Sequence, residues 1–442
     1  DGTLTMDNYE VCTLSGMYDA EDEGSIDADM TLSRTPLLLL NGFVPDRLIN
    51  FNGYAQGEVK VKGSLSRPDI NGELYFDSAY VASEPYGVQM RLCDDQLEIK
   101  NSRMMFENFQ MFARNGNALT LYGNVDFANF DRITTYLRMR ADNYLLIDSK
   151  EQARSEAYGK AYVNFLGLVD GPLESLRMRG RLDVLGSSDV TYILRDSPLS
   201  TESQLDGLVK FVNFRNPATA TVARPPINGL TMDLTMNVDD GAHVLCALNT
   251  DKSNYVDLIG GGNLRMLYTA TDGLSLYGRY TIAEGEMKYS LPVIPLKTFT
   301  IKDGSYAEFS GDPMNPRLNI TATEENKTTV STDGGTGRSV MFECGVEITK
   351  TLQDMGLQFI IDAPDDQQMH NELMTQSAEN RGKLAVTMLT TGMYLSDDNL
   401  GSLSVNSALS SFLSSQINSI SGNALRTLDL SFGMDNTTLG SG

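Results

Sequence analysis

The stretch that decides the fold is Gly278–Thr321, GRYTIAEGEMKYSLPVIPLKTFTIKDGSYAEFSGDPMNPRLNIT, in which short alternating runs of apolar and polar residues are separated by glycine and proline. Alternation with a period of two places successive side chains on opposite faces of a β-strand. Glycine and proline between such runs are typical of the turns that join strands. The stretch therefore predicts a series of neighbouring strands with one apolar face.

A similar unit occurs twice earlier in the chain. Three segments begin with glycine and carry apolar residues two and four positions later: Gly57 with Val59 and Val61, Gly159 with Ala161 and Val163, and Gly262 with Leu264 and Met266. The first two glycines are 102 residues apart and the last two are 103 apart. A second glycine-led strand follows each segment, from Gly72, Gly180 and Gly278. A fixed period of this kind indicates a repeat architecture rather than unrelated domains.

Alternation dominates the chain up to about Ala363. In Gly229–Asp239, one side of the predicted strand is apolar while the other carries Thr231, Asp233 and Thr235. We predict that the apolar sides of many such strands line a hydrophobic groove. Its predicted lining residues are Val59, Val61, Leu230, Met232, Leu234, Met236, Leu274, Leu276, Phe299, Ile301, Leu318, Ile320, Leu357 and Phe359.

The number of strands suggests how the sheet is arranged. At about 14 residues per strand and turn, the ladder would hold about 25 strands and extend about 120 Å, a length at which an open sheet usually curls. The predicted fold class is mostly β: a long, curled antiparallel sheet that forms an open apolar groove, with two amphipathic helices near the C-terminus. The alternation is equally expected of a β-sandwich or β-solenoid whose apolar faces bury each other.

The period changes after residue 363. Gln367–Met393 has helical spacing, with Ser377 as its N-cap and Gly392 as its stop, and Val405–Ile420 predicts a second helix. Thr427–Phe432 returns to strand alternation. Three segments are predicted: 1–228 and 229–363 as parts of the groove, and 364–442 as helices with a return strand. The helices are predicted to dock on the sheet through Leu384, Met388, Leu409, Phe412, Leu413 and Ile417.

Charge limits the choice of partners. The chain holds 35 Lys and Arg against 58 Asp and Glu, a formal net charge of −23. This balance argues against an electrostatic docking surface for nucleic acid or for anionic lipid headgroups. We therefore predict no nucleic-acid partner.

Candidates for chemistry are few. His243 and His370 are the only histidines, and neither lies near a nucleophile motif, so we predict no enzyme and no catalytic residue. Gly260–Gly262 lacks the Lys and Ser or Thr of a phosphate-binding loop and is predicted to be a bulge or hairpin turn. The four cysteines have no C-x-x-C spacing and the acidic clusters lack calcium-loop spacing, so neither a metal nor a cofactor is predicted.

Two stretches resemble a known family. Gly278–Ala322 carries PLKTFTI, DGSYAEF and GDPMNPRLNITA, and Asn371–Met434 carries RGKLAVTMLTTGMYL, NSALSSFL and GNALRTLDLSFGM. These motifs resemble the C-terminal domain of the TamB (translocation and assembly module) family, and the second stretch is similar to its Bacteroidota-type members. The resemblance is specific over about Gly229–Met434, and the preceding chain has a weaker likeness to AsmA-like repeats.

The resemblance implies a location and a function. It implies a long β-sheet folded into an open groove in the periplasm of a Gram-negative bacterium, with an inner-membrane anchor outside this chain. The groove would reach a TamA-like or BamA-like barrel at the outer membrane and carry phospholipids between the membranes, supporting outer-membrane biogenesis. An older alternative is an assembly factor for outer-membrane β-barrel proteins and autotransporters. Such a factor would pair an exposed strand edge with its client.

Elementary energetics are consistent with the lipid hypothesis. Moving one acyl chain of about sixteen carbons through water costs about 12 kcal/mol, at about 0.8 kcal/mol per CH₂. A continuous apolar trough removes most of that barrier. Met232, Met236, Met266 and Met287 suit such a surface because methionine is unbranched and adaptable, although ordinary core filling is the better explanation for any one of them. A closed β-solenoid or adhesin without a ligand is the third hypothesis.

Overall fold

The computed structural model describes residues 1–6, 9–20, 24–43, 49–64, 67–83, 87–151, 157–193, 229–248, 251–291, 294–313, 315–330, 337–352, 354 and 356–394. Most of these residues lie in β-strands, which confirms the mostly-β prediction. They form two units. The first comprises Asp1–Tyr289 with Thr300–Pro316, and the second comprises Ser290–Phe299 with the described residues from Arg317 onward. The predicted segment boundaries after residues 228 and 363 stay predictions.

The first unit is a sheet in which most strands pair with their neighbours in sequence. Its strands are β1 (Gly2–Met6), β2 (Tyr9–Asp19), β3 (Ser25–Pro36), β4 (Asn50–Ser64), β5 (Arg67–Ser83), β6 (Val88–Leu92), β7 (Leu97–Lys100), β8 (Arg103–Phe112), β9 (Ala118–Asp126), β10 (Thr134–Ser149), β11 (Ala157–Pro172), β12 (Leu176–Val184), β13 (Asp189–Ile193), β14 (Leu230–Val238), β15 (His243–Ala247), β16 (Tyr255–Thr269), β17 (Gly273–Leu291) and β19 (Tyr306–Gly311). β18 (Ile294–Ile301) spans the boundary between the units, and the last two residues of β17 also belong to the second unit. Short 3-10 helices cover Leu37–Phe43, Phe130–Arg132 and Leu173–Ser175.

Two stretches with the composition of turns are bulges inside long strands. β14 and β15 both pair antiparallel with β16, so they run in the same direction, and the chain does not reverse at Asp239–Gly241. The residue types of Asp239-Asp240-Gly241 are typical of a strand-reversing turn, but they equally suit a kink within a strand. Gly260 lies at a register shift between β16 and β17, which confirms the bulge predicted for Gly260–Gly262.

Two pairings depart from the predicted antiparallel sheet. β12 pairs with β14 in parallel, and β13 pairs with β15 in parallel. Parallel neighbours need a crossover connection of about a dozen residues or more. Residues 194–228, between β13 and β14, provide enough chain for one. The alternating pattern does not indicate parallel pairing, since the pattern is the same for both strand directions.

In the first and third copies of the glycine-led repeat, the two strands of the copy pair in the same register. Gly72 pairs with Val59, two residues after Gly57, and Gly278 pairs with Leu264, two residues after Gly262. A β-carbon on Gly278 would lie 2.3 Å from the carbonyl oxygen of Asn263 on the neighbouring strand, and Gly278 has φ +121°. Glycine therefore permits a close approach of backbones that other residues would prevent.

The second unit combines strands with two helices. Its elements are β20 (Arg317–Val330), β21 (Arg338–Thr351), β22 (Gly356–Asp362), α1 (Gln367–Thr375) and α2 (Ala378–Thr391). The stretch Gln367–Met393 thus holds two helices: α2 is the helix predicted between Ser377 and Gly392, and α1 precedes it. Ser377 caps α2 by accepting a hydrogen bond from the backbone N–H of Asn380, and Gly392 ends α2 in the left-handed conformation. Both predicted helix signals are confirmed.

The helices pack on the strands of the second unit. α2 packs on β22 and β21, and α1 packs on β22. Leu384 and Met388, two of the predicted docking residues, are buried on α2. The predicted return strand Thr427–Phe432 lies outside the described residues. So do the other predicted docking residues, which are Leu409, Phe412, Leu413 and Ile417.

Candidate functional site

The candidate site is one face of the sheet in the first unit, here called the apolar face. Residues that pair directly on neighbouring strands point to the same side of a sheet, so the registers define rows of side chains. Four such rows cross seven to nine strands each, among β8 to β12, β14, β16, β17 and β19. Apart from tyrosine hydroxyls, every side chain in them is apolar or is the single hydrogen of glycine.

The rows are named in order along the strands. Row one is Phe106, Gly123, Leu137, Val169, Met178, Met232, Tyr268 and Leu274. Row two is Phe109, Leu121, Met139, Gly167, Gly180, Leu234, Met266, Leu276 and Gly311. Row three is Met111, Leu119, Ala141, Phe165, Leu182, Met236, Leu264, Gly278 and Phe309. Row four is Tyr144, Val163, Val184, Val238, Gly262, Tyr280 and Ala307.

The opposite side of the same strands carries the charges. Arg265 donates two hydrogen bonds to Asp233 on the neighbouring strand, from Nε at 2.8 Å and from Nη2 at 2.7 Å. These bonds hold the pKa of the Asp233 carboxyl below its usual value. Arg177 and Arg179 share the Asp170 carboxylate at 2.6 and 3.0 Å. The two sides of the sheet therefore differ sharply in polarity, as the alternation predicted.

The apolar face is only partly shielded from solvent. Leu234, in the middle of row two, is 4% exposed, whereas Met178, Met232 and Met236 are half-buried. Leu274, at the end of row one, is 45% exposed. Where two sheets pack face to face, inner side chains interdigitate and lose contact with water. The half-buried methionines leave part of their apolar surface exposed to solvent.

Several predicted lining residues lie together on the apolar face. Met232, Leu234, Met236, Leu274 and Leu276 belong to rows one to three, and Leu230 pairs with Leu176 on the same side.

Val59 lies on this side too, because it connects through Gly72, Ile99 and Met104 to Val125, two residues from Gly123. Val61 is two residues beyond Val59 and shares its side. Val59 and Ile301 are buried within the first unit.

The predicted lining residues of the second unit have different surroundings. Ile320 and Leu357 both pair with Ile348, and Phe359 pairs with Val346. On this same side of β21, the ring of Phe342 stacks on Tyr394, which follows α2, with ring centroids 5.0 Å apart. Phe299, Leu318 and Phe359 are buried. Their assignment to a groove stays a prediction. The helices pack on β22, which carries Leu357 and Phe359, and on β21, which pairs with it.

Sequence reasoning missed part of the apolar face. Leu137 and Met139 on β10 and Met178 and Leu182 on β12 were not among the predicted lining residues, although they occupy rows one to three. The signal was present in the sequence. In TTYLRMRAD and LRMRGRLDV, arginines alternate with apolar residues. A two-residue period in which the polar partner is arginine indicates a strand as clearly as one with threonine or asparagine.

Each histidine contacts a carboxylate on another element of the fold. His243 Nδ1 lies 2.8 Å from Asp189 and Nε2 lies 2.5 Å from Asp257, which connects β13, β15 and β16. Burial alone would lower the pKa of His243, but the hydrogen bonds to the two carboxylates outweigh it and raise the pKa. His370 Nδ1 lies 2.6 Å from Asp362. Within the described ranges, no group of three His, Cys, Asp or Glu could hold a metal ion.

The comparisons with known proteins assign a family. None of the helices that the structure describes is long and apolar enough to cross a membrane. No curated protein matches the chain. The family model of the TamB C-terminal domain matches residues 107–442 and thus starts well before Gly229, where the motif resemblance begins. TamB is not an enzyme family. Because the match covers far more than half of the chain, this protein belongs to the TamB C-terminal domain family.

Proposed function

We propose that the apolar face of the first unit carries the acyl chains of phospholipids through the periplasm between the inner and outer membranes. The observation that supports this most directly is the continuity of the four rows. No charged side chain interrupts them across the seven to nine strands that each row crosses. The width of nine strands is about 38 Å at about 4.8 Å per spacing, which exceeds the roughly 30 Å hydrocarbon core of a bilayer.

The half-buried methionines provide the physical means. Each CH₂ group removed from water contributes about 0.8 kcal/mol, so an acyl chain gains free energy wherever it covers apolar surface. Met178 pairs directly with Met232, and both are half-buried. Flexible, unbranched side chains can adjust to chains of different shape. The arginine and aspartate pairs on the opposite face keep that side hydrated.

Family membership extends the proposal to partners. The TamB family acts in the translocation and assembly module, so the proposed partner is a TamA-like or BamA-like outer-membrane barrel. An inner-membrane anchor outside this chain would complete the bridge. In this proposal, the protein supports outer-membrane biogenesis without a nucleotide or metal of its own.

The second candidate is an assembly factor for outer-membrane β-barrel proteins and autotransporters. The family's association with the translocation and assembly module is what favours it. This function would use strand edges and backbone hydrogen bonds rather than an apolar face. The two candidates therefore make opposite predictions for substitutions that change side chains on one face and leave strand edges intact.

The test uses two double variants in β14. Met232→Asp with Met236→Asp places two charges on the apolar face, and Thr231→Asp with Thr235→Asp places them at the same spacing on the exposed opposite face. Native mass spectrometry measures phospholipid that copurifies with each protein, and circular dichroism checks folding. We expect lipid on the wild type and the threonine variant but not on the methionine variant. Folded wild-type protein without lipid would refute the proposal and favour the assembly factor.

A further inference from the structure

The 3-10 helix Leu37–Phe43, which follows β3, carries exposed leucines. Its sequence is LLLLNGF and contains no charged residue. Leu38, Leu39 and Leu40 are 47%, 43% and 44% exposed. Single exposed leucines are common on protein surfaces, whereas a contiguous exposed apolar patch usually marks a site of interaction with another molecule. The three consecutive leucines therefore require an explanation.

Hydrogen bonds fix this helix to the edge of β4. The Asn41 side chain donates from Nδ2 to the carbonyl oxygen of Phe51 at 3.2 Å, and the Phe51 N–H donates to Asn41 Oδ1 at 2.7 Å. The helix thus attaches to β4 beyond Pro36 and Tyr54, the last pair between β3 and β4. Ile49, two residues before Phe51, is 38% exposed and adds a fourth aliphatic side chain in this region.

Leu37 anchors the helix in the core of the first unit. It is 7% exposed and belongs to a buried cluster that also holds Phe109 and Leu121, both in row two of the apolar face. A 3-10 helix has three residues per turn, so the next three side chains point in directions about 120° apart. The exposed leucines therefore make the helix apolar around its circumference rather than on one side.

The chemistry of this surface favours hydrocarbon as its partner. Protein partners usually meet a surface with a polar rim and about one hydrogen bond per 100–200 Å². Asn41 carries the one polar side chain of the helix, and it already bonds to the backbone of Phe51. The backbone groups of a 3-10 helix bond mainly to each other. Hydrocarbon offers no hydrogen bonds and surrounds what enters it, so it suits a helix that is apolar all round.

We propose that the helix Leu37–Phe43 inserts Leu38, Leu39 and Leu40 into the outer part of a phospholipid bilayer and holds the first unit at a membrane surface. The inference stands on this helix and does not depend on the proposed lipid path along the apolar face. Binding of this kind comes from burial of apolar side chains. It should therefore occur on bilayers without net charge, although the chain carries a net charge of −23.

The first test measures binding to vesicles of phosphatidylcholine, which have no net charge. The whole chain is mixed with vesicles, and flotation separates bound from free protein. The triple variant Leu38→Ser, Leu39→Ser and Leu40→Ser should bind at least about tenfold more weakly than the wild type. Because these side chains are exposed, circular dichroism should show an unchanged fold. Equal binding by the wild type and the triple variant would overturn the inference.

A matched control removes three exposed leucines that lie apart from one another. Leu14, Leu166 and Leu173 are 45%, 64% and 45% exposed and belong to different elements of the first unit or to its connections. Leu14→Ser, Leu166→Ser and Leu173→Ser together should leave vesicle binding unchanged. A loss as large as that of the first triple variant would mean that general surface hydrophobicity causes binding, which would overturn the inference.

A tryptophan reporter locates the site of insertion. The chain contains no tryptophan, so Leu39→Trp introduces a single emitter. With vesicles, its fluorescence should shift to shorter wavelength, and phospholipids brominated on their acyl chains should quench it. Leu166→Trp places the emitter on β11 between Arg140 and Arg181, on the side opposite the apolar face, and should show neither effect. Equal shifts at both positions would contradict insertion through the helix.

The inference and the proposed function fail in different ways. The serine variant of the helix should still copurify with phospholipid, and Met232→Asp with Met236→Asp should still bind vesicles. If the wild type carries phospholipid but does not bind vesicles, the inference is wrong and the proposed function stands. Vesicle binding without copurifying phospholipid would have the opposite meaning. If the wild type forms a dimer that the serine variant does not form, and neither binds vesicles, the leucines contact a second copy and the inference is overturned.

Discussion

The apolar face of the first unit and the helix-covered side of β21 in the second unit arise from the same two-residue alternation but differ in cover. On β21, Phe342 and Cys344 are fully buried and helices pack on the strands. On β14, Met232 and Met236 remain half-buried. Alternation therefore predicts that a strand has one apolar side, but not what covers it. In the second unit, the cover is the chain's own α1 and α2.

The difference has an energetic meaning. Complete burial of a large apolar side chain contributes about 1.5–3 kcal/mol to folding. The second unit gains that contribution within its own fold. A half-buried side chain leaves part of the gain unused, and a ligand that covers the side chain can use the remainder. We therefore expect core substitutions to destabilise the second unit more than the first. We expect lipid to stabilise the first unit more than the second.

The largest expected effect is on the packed core of the second unit. Phe342→Ala should lower the free energy of unfolding by about 3–5 kcal/mol, because it removes a buried ring and leaves a cavity. Met232→Ala in the first unit should cost less than half as much, since its side chain is only half-buried. Urea unfolding of both variants measures the comparison. Equal costs would mean that the two faces are equally packed.

Lipid should stabilise the first unit selectively. At a free concentration about 100 times the Kd, a ligand adds about 2.7 kcal/mol to the stability of the state that binds it. Hydrogen exchange followed by mass spectrometry should show slower exchange in β14 and β16 when phosphatidylethanolamine is added. Exchange in β21 should not change, and it is the internal control. Equal slowing in β21 would contradict the distinction between the faces.

A smaller loss of stability is expected from a substitution at the N-cap of α2, the helix that packs on β21 and β22. Ser377→Ala removes the hydrogen bond to the backbone N–H of Asn380 and should destabilise the second unit by about 1 kcal/mol. Exchange of amides in α2 and β22 should become faster while that in β14 stays the same. Thr298→Ala, at an exposed position of the same unit, should have little effect. An unchanged α2 would mean that packing alone fixes the helix start.

The smallest expected effect depends on pH and belongs to the first unit. The folded-state pKa of His243 is raised, so its stabilising contribution is present below the unfolded pKa of about 6.5 and is lost as pH rises through the folded value. His243→Gln should therefore lower stability more at pH 5.5 than at pH 8.5. Hydrogen exchange in β15 and β16 at both pH values measures this. An equal loss at both values would mean that the ion pairs with Asp189 and Asp257 contribute nothing.

Much of the local structure could be predicted from the sequence. The alternation of Met232 and Met236 with Thr231 and Thr235 correctly separated the two sides of β14, and Ser377 and Gly392 correctly marked the ends of α2. These signals are local, since each depends on residues a few positions apart. The family motifs indicated the TamB family, which the two-residue period alone does not identify.

The rest depends on contacts between distant parts of the chain. Tyr144 and Tyr280 fall in one row only because five successive registers align them. The sequence does not fix these registers, since a shift of two residues leaves the same sides apolar. The helical cover over Phe359 and the parallel pairing of β12 with β14 are likewise set by tertiary structure. Asp239–Gly241 shows the limit most simply, because one set of residues suits both a turn and a bulge.

The parallel pairing of β12 with β14 also bears on how the chain folds. β16 and β17 meet after a short turn, whereas β14 can pair with β12 only after the chain from Val184 to Leu230 has closed into a loop. Closing a loop that is about fifteen times longer costs about 2 kcal/mol more in chain entropy. Each side of this junction is built largely from hairpins that form locally. The first unit should therefore fold as two separate ladders, and their union along β12 and β14 should be the late step.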